Sequence, residues 1–319
     1  MMKHRSPLLF ASLLFVAAIA ACGTKDAGEA NGNSTPTTNT NTTTSANTAG
    51  TPSTATPAST LKPGEIPFAG FPTVATTARA DEVVLAPSYN WIQDAATKGP
   101  DKVTFIWYSQ KMITPGEVES EVEFLSPGKM KIPNAYIVPI PAGQTAKAGD
   151  IVLTWWQSGS GMNRAIVVEA ADPTQPTVRY LDIDYDNPAK SRDGKTTIGQ
   201  MEEKLKPNSF VRLTSPWEPG TVIAVNDGAS RKRMQIIRVA GDKILALGGV
   251  GSLKVYDKAN VTPVPLRPNV KAGDKVKAPK YGTFNDATVT KVDPRIGRVF
   301  VKFGTETEEK AIAFGDVMN

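Results

Sequence analysis

The phrase Lys147-Ala148-Gly149-Asp150, with Val152 two places on, returns later in the same chain as Lys271-Ala272-Gly273-Asp274 with Val276. A repeated strand-opening phrase constrains the chain to tandem units that begin alike. The unit that follows the second copy reads as strands over residues 275–278, 287–292, 298–303 and 310–313, divided by the turn signals Asp293-Pro294 and Ile296-Gly297 and closed by Phe314-Gly315-Asp316-Val317. A comparable series follows the first copy, with Met162 ahead of Arg164-Ala165-Ile166-Val167. Weaker versions start at Pro219 and Ala80. The endings agree as well: IPNAYIVPIP, KPNSFVRLTSP, KANVTPVPLRP and AFGDVMN each supply a short turn and a last strand.

These patterns resemble the Tudor and SH3-like small barrels. Such sequences run G-D-x-V, then an aromatic before A-x-V, then V-x-F; Phe284, Ala287 and Val289 occupy the second motif of the last unit, and Val301 with Phe303 the third. The resemblance implies an all-β chain of about four barrels, at 62–144, 145–216, 217–267 and 268–319. A continuous β-sandwich is the competing architecture. Thr197–Pro207, with Ile198, Met201 and Leu205 on one face, predicts a short helix inserted in the second unit.

Cys22 and His4 are the single cysteine and the single histidine of the 319 residues. A body without either excludes a disulfide framework, a Cys or Ser triad with histidine, and a Cys/His zinc site. Basic and acidic side chains, 36 against 31, are interspersed, so no nucleic-acid partner is expected. No cofactor is expected either.

The N-terminus carries basic residues ahead of an apolar run that ends Ile19-Ala20-Ala21-Cys22. This resembles the bacterial lipobox, which implies a signal peptide over 1–21 and lipid on Cys22. Gly23, where an aspartate would retain the protein in the inner membrane, points by the same resemblance to the outer membrane. Residues 22–61, rich in Thr, Asn, Ala and Pro, have no aliphatic periodicity and read as a disordered tether.

Several residue groups are candidates for recognition. Tudor barrels hold cationic groups in aromatic cages, and by position the second unit offers Trp155, Trp156, Tyr180 and Tyr185 with Asp182, the first Trp91, Phe105, Trp107 and Tyr108. The alternative is that these rings fill small cores and seams. Asp182, Asp184, Asp186 and Asp193 have spacings like a calcium loop, with Asn187 in the glycine position and a plain acidic strand as the alternative. Gln157–Asn163 reads as a hairpin turn, and Ser230–Met234 as a basic patch suited to phosphate or an anionic glycan. Together these features predict a membrane-anchored, non-enzymatic binding or scaffold lipoprotein whose partner is an envelope protein or peptide. Peptidoglycan or glycan binding is one alternative, and a hydrolase using carboxylates such as Asp182 and Asp184 another.

Overall fold

Both copies of the repeated phrase fold into the same turn. The Asp150 N–H donates to the Lys147 carbonyl (2.9 Å), and the Asp150 carboxylate accepts the Lys147 N–H in return (3.0 Å). Asp274 and Lys271 repeat the pair at 3.1 and 2.9 Å. The third residue takes φ of +88° at Gly149 and +93° at Gly273, which glycine enters without a Cβ penalty. The turn then docks: Gly149 N–H donates to the Val167 carbonyl and Val167 N–H to the Asp150 carbonyl, as Gly273, Val289 and Asp274 also do. The same device occurs twice more in other residues. Arg79–Glu82 puts Asp81 at φ +69°, bonds the Arg79 N–H to the Glu82 carboxylate (2.8 Å) and docks on Met112. Glu218–Thr221 puts Gly220 at +89° and docks on Ile236.

From each turn a five-part antiparallel ladder follows in one order. The computed structural model describes residues 61–186 and 197–319, so the signal peptide, Cys22 and tether expected for 1–61, apart from Leu61, lie outside the described residues, as does Asp193. The first unit has β1 (Val83–Pro87), α1 (Tyr89–Lys98), β2 (Trp107–Thr114), β3 (Glu119–Glu123), β4 (Lys129–Pro133) and β5 (Val138–Ile140), ordered β4-β3-β2-β1-β5. In the second, β6 (Ile151–Trp155), β7 (Met162–Glu169), β8 (Thr177–Tyr180), β9 (Glu202–Lys204) and β10 (Val211–Arg212) give β10-β6-β7-β8-β9. The third comprises β11 (Val222–Asp227), β12 (Ser230–Ala240), β13 (Lys243–Gly248), β14 (Leu253–Asp257) and β15 (Val261–Pro263), with β15 again returning to pair its unit's first strand. The fourth comprises β16 (Lys275–Lys280), β17 (Thr283–Asp293), β18 (Arg298–Phe303) and β19 (Lys310–Ala313); Met318 bridges back to Lys277 as the returning fifth segment.

In every unit the second strand is bulged next to the residue on which the turn docks, at Met112/Thr114, Val167/Glu169, Ile236/Arg238 and Val289/Lys291. An extra residue bends the strand, so one strand serves both halves of a small barrel. The chain is therefore all-β in tandem small barrels, and the continuous sandwich is not formed. A Lys232–Thr283 pairing of β12 with β17 joins the third and fourth units into a nine-stranded sheet.

Two local readings change. Residues 198–205 contain a single 3-10 turn, Ile198–Gln200, followed by β9, and no helix. The edge of β8 offers these residues backbone partners that an isolated turn of helix cannot match, and Leu205 still reaches the core of the second unit. The helix is instead α1, which follows Ser88, ends at Gly99, buries Ile92 and Ala95 and carries an Asp94–Lys98 ion pair at 2.9 Å.

Small barrels bury little surface alone, and here they share their core. One apolar cluster runs from Leu85 and Trp107 of the first unit through Ile166 and Leu181 of the second to Val299 and Phe314 of the fourth. Glycines allow the close approaches. A Cβ on Gly220 would stand 2.4 Å from Leu153 Cδ1, whereas one on Gly273 would meet nothing within 4 Å. Gly273→Ala is accordingly expected to cost about 1–2 kcal/mol of left-handed backbone strain. Gly220→Ala should cost more by roughly 1–3 kcal/mol of overpacking. Urea unfolding of the two variants measures the difference, and equal costs would show that Leu153 moves aside.

Candidate functional site

The alternation of β12 places Arg233 where the second, third and fourth units meet. Arg164, from β7, is fully buried and reaches the same point. Its Nη2 lies 2.6 Å from Asp182 Oδ1 and 3.2 Å from Asp316 Oδ1, and its Nη1 donates to the Phe314 carbonyl at 3.3 Å. Arg233 crosses the same two carboxylates, with Nε 2.9 Å from Asp316 and Nη2 3.2 Å from Asp182. Burial pushes the Asp182 carboxyl up, but the charge and hydrogen bonds of Arg164, with the charge of Arg233, outweigh it and hold the group below the usual carboxylate range. The same two aspartates raise Arg164 against its own burial.

Arg298 stands beside this cluster and, among the described residues, pairs with no carboxylate. It donates to the carbonyls of Tyr180 (2.8 Å) and Ile183 (3.3 Å), and its guanidinium lies 5.2 Å from the Tyr185 ring. Burial lowers it to about 10.

Three hollows open around Arg233 and Gln235. The first, of about 380 Å³, is bordered by Lys232, Arg233, Lys254, Tyr256 and Tyr281. The second, of about 360 Å³, lies over Phe105, Ile106, Trp107, Met162 and Leu247. The third, of about 290 Å³, adjoins Asp182, Tyr185, Arg298 and Asp316. Gly248, Gly249 and Val250 wall both the first and the second, Gln235 the second and third, and Arg233 the first and third, so the three form one uneven face. At its rim Val250 is 80% exposed and Tyr281 96%.

The structure does not bring the sequence candidates together as cages. Trp107 is core, its Nε1 donating to the Tyr136 carbonyl at 2.8 Å, with Phe105 packed 6.0 Å away. Trp91 and Tyr108 are half-buried and pair at 5.9 Å on the first unit. Trp155 and Trp156 pack on different clusters, as adjacent residues at a strand end should. The Gly159 turn folds over the Trp156 ring. Tyr180 is buried; its hydroxyl bonds to Glu203 (2.5 Å) and the Trp155 carbonyl (3.2 Å). Burial, then Glu203, raise it far above the usual tyrosine range. Tyr185 meets the Phe300 edge at 6.0 Å and carries Arg298, so its face is taken by the chain's own cation.

The calcium spacing loses its first ligand, because both Asp182 oxygens are engaged by arginine. Asp184 accepts the Asp186 N–H at 3.0 Å, and Asp186 the Ala311 N–H at 3.3 Å. Among the described residues no group of three or more His, Cys, Asp and Glu is placed to hold a metal ion. Sequence reasoning singled out Ser230–Met234 but missed Val250, Tyr281 and Arg298. The available signals were a valine isolated in Leu247-Gly248-Gly249-Val250-Gly251 and a tyrosine in a Tyr-Gly hairpin turn.

The strand order, docked turn and bulge define a chain of tandem small barrels of the SH3/Tudor type. Among solved structures the chain is similar to the tandem Agenet domains 3–4 of ADCP1, at 19% identity over 32% of this chain and 79% of that one with a TM-score of 0.19. It is also similar to AGD34 of AGDP1 from Arabidopsis thaliana, at 18% identity over 32% of this chain and 81% of that one with a TM-score of 0.20. No family model matches the chain, and no curated protein matches it.

Proposed function

We propose that the chain is a non-enzymatic binding or scaffold lipoprotein of a bacterial envelope, attached to the outer membrane through Cys22 and residues 22–61. Its ligand is a protein or peptide, held in the apolar hollow among the first three units. The observation that carries this reading is that hollow of about 360 Å³ over Phe105, Trp107, Met162 and Leu247, with the partly exposed Ile106 and the exposed Val250 at its lip. An apolar side chain entering it would leave water at about 25 cal/mol per Å² buried. Asp182 supports binding over hydrolysis, since a carboxyl held ionised by two arginines is a poor general acid.

Two measurements test the reading. Cys22→Ser should move the full chain from the membrane to the soluble fraction, because the acyl chains contribute about 0.8 kcal/mol per buried CH₂. Retention in carbonate-washed membranes would overturn the anchor. Peptides selected from a displayed random library on the full chain should lose about tenfold or more in affinity on Val250→Asp or Ile106→Asp, with melting temperature unchanged. Undiminished binding to both variants would remove the hollow as the site.

A further inference from the structure

We propose that the cleft between the third and fourth units binds an anionic saccharide, a sugar unit carrying a carboxylate or phosphate. The cleft is separate from the apolar hollow and meets it only along the Gly248–Val250 ridge.

Its charge has one sign. Lys232, Arg233 and Lys254 border the cleft, and among the described residues no carboxylate does. Asp316 stands behind the wall and meets Arg233 at 2.9 Å, while Asp227, exposed at the end of β11, meets Lys232 at 2.5 Å. Lys254 is exposed on β14 and feels Asp227 only electrostatically. An anion in the cleft therefore meets the exposed ammonium of Lys254, beside the Arg233 guanidinium that Asp316 holds in the wall.

The second observation is Tyr281. It occupies the first position of the two-residue turn joining β16 to β17, at φ +52°, followed by Gly282 at +79°. Turns of this hand favour Asn-Gly, and a bulky residue there costs roughly 1 kcal/mol. The ring is 96% exposed, so it recovers nothing from the core; Lys280 Nζ stands 5.6 Å from its centroid, and the exposure leaves ring surface open beyond that contact. Backbone strain at an exposed position that the core does not offset points to a contact made outside the chain. An aromatic face at the mouth of a cationic cleft supplies what a sugar ring requires, a flat apolar surface beside groups that hold its charge and hydroxyls. Tyr256, raised to about 12 by burial and then by Asp227, is a protonated hydroxyl donor at neutral pH, and Ser252 and Thr283 add further hydroxyls. The volume of about 380 Å³ falls in the range of small-ligand sites, roughly 300–1,000 Å³. A nucleic-acid strand would instead require a long run of uncompensated cations, and here acids follow directly behind.

Titration calorimetry on the detergent-solubilised full chain tests this, using a galacturonate oligosaccharide, a hexose phosphate, a neutral galactose oligosaccharide, inorganic phosphate, glycerol phosphate and a single-stranded oligonucleotide as probes. At least one anionic sugar should bind about tenfold or more tightly than the neutral one and than inorganic or glycerol phosphate. Tyr281→Ala and Lys254→Gln should each weaken it about tenfold, with melting temperature unchanged. The proposal is overturned if neither anionic sugar binds, if the neutral sugar binds equally, if Tyr281→Ala leaves affinity unchanged, or if glycerol phosphate or the oligonucleotide binds as tightly. Both variants lie outside the apolar hollow, so this outcome is independent of the peptide measurement.

Discussion

Arg164→Met is expected to destabilise the chain by about 3–5 kcal/mol. The substitution leaves Asp182 and Asp316, both largely buried, to share Arg233 alone, and an uncompensated buried charge costs about that much. The pair itself is a different matter, because its desolvation offsets most of its attraction. Arg164→Met combined with Asp182→Leu should therefore recover a large part of the loss, leaving Arg233 with Asp316. Urea unfolding of the single and double variants decides it; equal losses in both would mean that the arginine matters for packing and not for charge. The pH dependence has a defined sign. The Asp182 carboxyl is lower in the folded chain than the roughly 3.9 of an unfolded aspartate, so its stabilisation is fully present above that value and is lost as pH falls through the folded one. Wild type should lose more stability than Asp182→Leu between neutral pH and that acid range.

The docked turn shows how much of this fold was legible. Lys147–Asp150 and Lys271–Asp274 were visible because they use the same residues. Arg79–Glu82 and Glu218–Thr221 showed only as the weaker starts at Ala80 and Pro219, because the turn requires a positive φ at its third place, which Asp81 and Gly220 both take, while its fourth place varies: Glu82 accepts the Arg79 N–H, and the Thr221 hydroxyl donates to the Glu218 carbonyl. Strand positions in the fourth unit followed directly from alternation, since that barrel has one wet face and one dry one. The helix α1 was hidden inside a unit already read as strands, although Ser88 and Gly99-Pro100 bracket it. The candidate face was the least legible part. Its residues come from four units, and nothing in one unit's sequence reports which side chains of another complete its wall. Asp182 illustrates the difficulty: it sits in an acidic run that suggests a cation, and its cations are Arg164 and Arg233, supplied by different barrels.

Trp107→Ala is expected to cost about 3–5 kcal/mol of stability and, because the indole lies under the apolar hollow, to weaken peptide binding as well. The indole is 1% exposed, packs against Phe105, and donates to the Tyr136 carbonyl inside the cluster that runs between units. Truncation removes the largest fully buried side chain of the described residues and leaves that carbonyl without its donor. Trp107→Phe should cost less than the alanine variant, because the ring volume is partly kept while the hydrogen bond is lost in both. Tyr180 is the parallel case in the second unit. Tyr180→Phe should cost about 1–3 kcal/mol, since the Gln157 N–H and the Glu203 carboxylate both lose their partner in a buried place. Thermal and urea unfolding measure all three. If Trp107→Ala left stability unchanged the indole would not be core, and if Tyr180→Phe left stability unchanged and abolished peptide binding that ring would belong to a recognition surface in place of the core of the second unit.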